Sequence, residues 1–130
     1  MSGLLIDSDV LIEVLRGRNP EVARAWLQVV SSPEPLFHSP VSSAEIRHGM
    51  RESERDTVER LFSGTTCVPI DEEIGKRAGE YLRVFHASHG VELADALIGA
   101  SASVHQLQLW TRNRKHFPMR DLEFFATQQR

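Results

Sequence analysis

The sequence predicts a three-layer α/β/α fold, with helices on both faces of a central, mainly parallel sheet of four to five strands. Two observations predict it. Short β-prone runs alternate with helix-periodic stretches along the whole chain, the order that builds parallel sheets through helical crossovers. The chain of 130 residues, 41% apolar and 25% charged, is also large enough for one real core, so residues 1–130 are expected to form a single domain. No repeat, linker or low-complexity segment interrupts it.

Leu4-Leu5-Ile6 reads as a buried strand ending at Asp7. Val10, Leu11, Val14 and Leu15 then recur at helical spacing, and Gly17 closes that helix. Asn19-Pro20-Glu21 combines a capping side chain, a first-turn proline and a dipole-compatible acid. The helix they start should run to about Val30, with Val22, Ala25, Trp26, Val29 and Val30 inward. Leu36-Phe37-His38 is the second strand. Ser42 or Ser43 is expected to cap the helix that carries Glu45 and stops near Gly49. Glu52 to Phe62 is polar, with Val58, Leu61 and Phe62 on one face, and Gly64 ends it. Thr65 to Ile70 is β-prone, with Cys67 expected to be buried there. Asp71 caps a long helix with Ile74, Ala78, Tyr81, Leu82 and Phe85 inward, closed at Gly90. Ala94 to Val104 is a helix of small residues, Leu107 to Thr111 a strand, and Leu122 to Phe125 an edge strand.

Composition excludes several classes. Cys67 is the only cysteine, so no intramolecular disulfide forms, which fits a reducing cytosol. No apolar run approaches the roughly 18 residues of a membrane span. The N-terminal residues lack the basic and apolar pattern of an export signal, so a cytoplasmic location is expected. A net charge of −3 gives no global attraction to nucleic acid. The basic residues are nevertheless arginine except for Lys76 and Lys115, and arginine grips phosphate or carboxylate bidentately. Arg112, Arg114 and Lys115 cluster around Asn113. They form either a solvated turn or a phosphate-contacting rim.

The chemistry-bearing residues are three acids far apart in the chain. Asp7 follows a strand, while Glu45 and Asp95 are expected in the first turns of helices. Right-handed crossovers put all strand C-terminal ends on one edge, where ligands of open α/β sheets bind. Each acid alone could be a helix cap or a favourable first-turn charge. Together at one edge they suit a hard divalent cation and phosphoryl chemistry. Mutual repulsion should then raise at least one of their pKa values in the metal-free protein. Asp9 and Glu92 rank second and read more simply as surface acids. The Glu45–His48 spacing resembles half of a di-iron motif, but a second copy is lacking, so His48 reads as structural. Phe124 and Phe125 could pack at a dimer surface.

Four segments carry a resemblance. They are Leu5-Ile6-Asp7-Ser8-Asp9-Val10-Leu11-Ile12, Ser43-Ala44-Glu45-Ile46-Arg47-His48-Gly49, Asp95-Ala96-Leu97-Ile98-Gly99-Ala100-Ser101-Ala102 and Trp110-Thr111-Arg112-Asn113-Arg114-Lys115-His116-Phe117. In this order and spacing they resemble the PIN domain, and within it the VapC-type toxin ribonucleases of bacterial toxin–antitoxin pairs. The resemblance implies a Mg²⁺-dependent endoribonuclease, with Mn²⁺ as a substitute, acting on a tRNA or rRNA. It implies that Asp7, Glu45 and Asp95 hold the metal and that Asn113 joins them in the catalytic set. It also implies a homodimer and a VapB-type antitoxin partner. One departure is visible: many members carry an acid at the position of Asn113 or three residues on, where His116 stands here. Two other readings stay open. One is a non-catalytic PIN-like binding module. The other is a haloacid-dehalogenase-like phosphatase using Asp7 as nucleophile and Asp9 as acid/base.

Overall fold

A computed structural model describes residues 3–126; residues 1–2 and 127–130 of the expected unit lie outside it. Five strands form one sheet: β1 (Leu4–Ile6), β2 (Leu36–His38), β3 (Thr66–Cys67), β4 (Gln108–Trp110) and β5 (Glu123–Phe124). Their order is β3-β2-β1-β4-β5, and each neighbouring pair is parallel. The helices are α1 (Ser8–Arg16), α2 (Pro20–Val30), α3 (Pro40–Gly49), α4 (Arg55–Ser63), α5 (Glu72–His89) and α6 (Leu93–His105). The expected three-layer arrangement is therefore present.

Side chains alternate across the central strands with a period of two. Leu4, Ile6 and Trp110 enter one core with Val10, Leu11, Val22, Val29, Ile46, Val58 and Phe62. Leu5 and Leu109 enter the other, with Ile74, Ala78, Val91, Ala96 and Ala100. Both faces of β1 are covered, which explains an unbroken apolar run in place of an alternating one. The chain adds β2 and β3 on one side of β1, then crosses through α5 and α6 to place β4 on the other. That reversal makes the C-terminal ends of β1 and β4 the switch point, where open α/β sheets place their ligand crevice.

Several local expectations are corrected. Ser39, not Ser42 or Ser43, caps α3, and Pro40 takes the first-turn position; the Ser-Pro pair places the start three residues earlier. Ser42 is instead fully buried. Residues 52–62 are not one helix: Glu52–Glu54 form a 3₁₀ turn before α4. The 65–70 stretch pairs only at Thr66 and Cys67, and Pro69 further on has no N–H to continue a ladder. Cys67 sits on this edge strand and is exposed, not buried. Val30 is also exposed, at 47%, because α2 turns only Val22, Ala25 and Val29 fully inward. Phe125 packs on Trp110 with ring centroids 5.2 Å apart, and the Arg114 guanidinium lies 4.8 Å from the Phe124 ring centre. Both aromatics thus have partners within the chain.

Gly17 and Gly90 end α1 and α5 with φ of 64° and 67°. This left-handed geometry is the one for which glycine was expected at both positions. Leu5 is wholly buried in the central strand. Leu5→Ala should lower unfolding free energy by about 2–5 kcal/mol, read from urea denaturation midpoints at unchanged m-value.

Candidate active site

β1 carries Asp7 to the crevice, and the position is fixed from both sides. Its N–H donates to the Trp110 carbonyl at 2.9 Å, extending the β1–β4 pairing by one residue. Its Oδ1 accepts from the Ser8 N–H at 2.8 Å, so Asp7 caps α1. Its Oδ2 accepts from the Thr111 hydroxyl at 2.8 Å. Thr111 is the first residue after β4 and in turn accepts from the Asn113 N–H at 3.0 Å. Only 9% of Asp7 is exposed. The capping role and the site role thus coexist in one carboxylate.

The correction at Ser39 moves Glu45 from the first turn of α3 to its second. It remains tied to Asp7 through Ser8, whose hydroxyl donates to Glu45 Oε1 at 2.6 Å and lies 2.8 Å from the buried Ser42 hydroxyl. Asp95 is in the first turn of α6 as expected. Its Oδ2 accepts from the Glu92 N–H at 3.2 Å, and Glu92 itself is the helix cap. Asp95 Oδ1 is 3.9 Å from His116 Nδ1, and the His116 ring is 3.3 Å from Asn113 Nδ2. One polar chain therefore runs Glu45–Ser8–Asp7–Thr111–Asn113–His116–Asp95. It joins Asp7, Glu45, Asp95 and Asn113, the four residues expected in the catalytic set. Among the described residues, no three His, Cys, Asp or Glu side chains form a ready ligand group.

The close neighbour of Asp7 is Asp9, not Glu45 or Asp95. Burial, and then the charge of Asp9, push the Asp7 carboxyl up to about 7. Asp9 is also raised, chiefly by burial, against the hydrogen bond from the Arg112 N–H. That bond reaches Asp9 Oδ2 at 3.2 Å, while Asp9 Oδ1 is buried without a hydrogen-bond partner. The repulsion expected among three distant acids is found between two near ones, and the surface reading of Asp9 is corrected. Two like charges this close and this desolvated do not both ionise cheaply.

Sequence reasoning also missed Glu13 and Ser8. Glu13 lies one helical turn beyond Asp9, with its side chain 13% exposed and 3.6 Å from Arg112. It sits 3.4 Å from Arg18 as well. The i,i+4 spacing of Asp9 and Glu13 was the available signal. Ser8 gave only the signal of a capping residue.

These donors fit a hard divalent cation. They are oxygens, one of them buried and unsatisfied, and Mg²⁺ needs only one or two carboxylates because it keeps several waters. Asp7 with Asp9 would hold such an ion, with Glu45 and Asp95 as the further acids of the set.

The raised Asp7 pKa fixes the sign of a pH effect. Its folded value lies above its unfolded one, so the protonated form favours folding. That stability is complete below the ordinary carboxylate range near 4 and is lost as pH rises through about 7. In metal-free buffer at pH 8, Asp7→Asn should raise the melting temperature by about 3 °C or more, and the gap should close at pH 4. Equal melting curves at pH 8 would refute the buried charge.

A family model for the PIN domain matches residues 4–121. Ribonuclease VapC10 of Mycobacterium tuberculosis (strain ATCC 25618 / H37Rv) is 46% identical over 117 residues, covering 89% of this chain and 86% of the relative. VapBC2 from Rickettsia felis, solved bound to a DNA fragment from their promoter, superposes with a TM-score of 0.78 at 16% identity, covering 96% of this chain and 98% of that one. FitAcB from Neisseria gonorrhoeae gives a TM-score of 0.73 at 25% identity, covering 95% of this chain and 97% of that one. With the sheet order, the crevice and the polar chain across it, these matches establish that the chain belongs to the PIN domain family, in its VapC-type branch.

Proposed function

We propose that this chain is a metal-dependent endoribonuclease, the toxin of a VapBC-type pair, hydrolysing phosphodiester bonds in a tRNA or rRNA with Mg²⁺ or Mn²⁺. The observation that carries the reading is the desolvated Asp7–Asp9 pair at the sheet's switch point, in a chain closely similar to a protein named a ribonuclease. Family membership also sets aside the phosphatase reading, for which Asp7 would have been the nucleophile.

A bound divalent ion would polarise the scissile phosphate and acidify a water. The chain's residues supply the rest. Asp7 and Asp9 would hold the ion, and the Ser8 N–H and Thr111 hydroxyl hold the Asp7 carboxylate in one orientation. Glu45 Oε1, fixed by Ser8, orients the attacking water and takes its proton. Asp95 completes the acidic wall, with His116 and Asn113 as its neighbours. Asn113 can orient a water or a phosphate oxygen but adds no charge.

A groove of about 540 Å³ runs past Glu45 between α1, α3 and α4. Ile12, Leu15, Ile46 and Met50 give it apolar walls, and Arg16, Arg18 and Arg51 line it too. It supports the reading that a VapB-type antitoxin lies along these helices and presents a positive side chain to the acids. The solved likeness named VapBC2 supports the same pairing. The toxin is expected to be a homodimer.

Purified protein incubated with total RNA should cut at discrete sites with Mg²⁺ and not with EDTA. Asp7→Asn should reduce the rate by about 10²-fold or more. Metal-independent binding without cleavage, unchanged in that variant, would instead identify a non-catalytic module. Expression of the chain alone should arrest growth, and co-expression of a cognate VapB-type antitoxin should restore it. Unaffected growth would sink the toxin assignment while leaving the nuclease one standing.

A further inference from the structure

We propose that a second groove, leading away from Thr111, is a subsite for a backbone phosphate of single-stranded RNA next to the scissile one. Arg112 is the phosphate contact, and Glu13 is the residue that positions it. The inference rests on the nuclease reading above. The groove encloses about 350 Å³ and is lined by Asn19, Val22, Trp110, Thr111, Arg112 and Arg114. Thr111, whose hydroxyl donates to Asp7, is one of its lining residues, so the groove lies beside the acids.

Both arginines are held in place by the protein. The Arg112 guanidinium sits 3.6 Å from Glu13, a mostly buried carboxylate, and its backbone N–H is fixed on Asp9. Arg114 donates to the Phe125 carbonyl at 3.4 Å and stacks over Phe124. One ion pair leaves most of the five guanidinium donors of Arg112 free, and the side chain is 41% exposed. A pre-positioned fork of this kind suits a phosphate.

The other wall adds field more than donors. The N–H groups of Glu21 and Val22 at the start of α2 are already taken by the Asn19 side chain at 3.0 and 3.1 Å. The helix therefore contributes its dipole. Glu21 also lines the groove, and its charge keeps a phosphate on the Arg112 side. Trp110 is only 3% exposed, and Phe125, the other aromatic lining the groove, is half-buried and packs on Trp110. The charged donors therefore favour backbone over base as the bound moiety, with little sequence preference at this position.

The sign of one substitution separates this idea from bulk electrostatics. Glu13→Gln removes a negative charge, so screening alone predicts tighter RNA binding. A positioning role predicts weaker binding, because Arg112 loses its anchor. The test is fluorescence anisotropy of a labelled single-stranded oligoribonucleotide with the full chain in EDTA, across a salt series. Arg112→Gln should weaken binding about 5–10-fold and flatten the log–log salt slope by about 0.7. Arg112→Lys should restore the slope but only part of the affinity. Glu13→Gln should weaken binding about 3-fold relative to wild type. Arg83→Gln, which breaks an exposed pair with Glu80 on α5, should change nothing. Thermal melts confirm that each variant is folded. An unchanged slope in Arg112→Gln, or tighter binding by Glu13→Gln, overturns the subsite while cleavage by the wild type keeps the nuclease reading. Failure of the wild type both to bind and to cut RNA overturns both.

Discussion

The hydrogen bond from Thr111 to Asp7 joins residues 104 positions apart, and the site depends on it. It is possible only because β1 and β4 run side by side in register, Ile6 opposite Trp110. The same register brings the Asp7 N–H to the Trp110 carbonyl. A slip of one residue would turn Leu5 and Ile6 to the wrong cores. The two apolar cores therefore enforce the alignment of the polar groups. Packing energy, which is non-directional, sets a geometry that the polar contacts alone could not hold against solvent.

The fold was largely legible because its signals were local and mutually consistent. Alternating strand and helix patterns gave the layers, and Gly17, Gly90, Asn19 and Asp71 marked ends where the chain does turn or start a helix. The errors arose where two local rules competed. Ser39-Pro40 outranked Ser42 and Ser43 as a helix start, because Ser42 is consumed by packing against Ser8. The β-prone run at 65–70 shortened to an edge, where Cys67 meets solvent instead of a core.

The grouping of the candidate site residues was not legible. Asp7, Glu45, Asp95 and Asn113 do lie on one polar chain. Which carboxylates face each other depends on side-chain direction and on how α1 docks against the segment after β4. Sequence spacing carries no such information. Asp9 looked superficial because a helix's first turn leaves its N–H groups facing solvent; here the Arg112 N–H donates to it and its Oδ1 is buried. Glu13 was missed, despite its i,i+4 spacing from Asp9, because its partner Arg112 lies far along the chain. Long-range pairing is the one thing local periodicity cannot report.

The exposed sulfur on β3 has a practical corollary. The chain contains a single cysteine, and it stands in solvent at the outer edge of the sheet, two strands away from β1. A maleimide dye added to the unmodified protein would therefore attach at one known place, on the sheet edge two strands from the one that carries Asp7. Energy transfer from that dye to a tagged nucleic acid or partner protein could then report distance without any engineered handle.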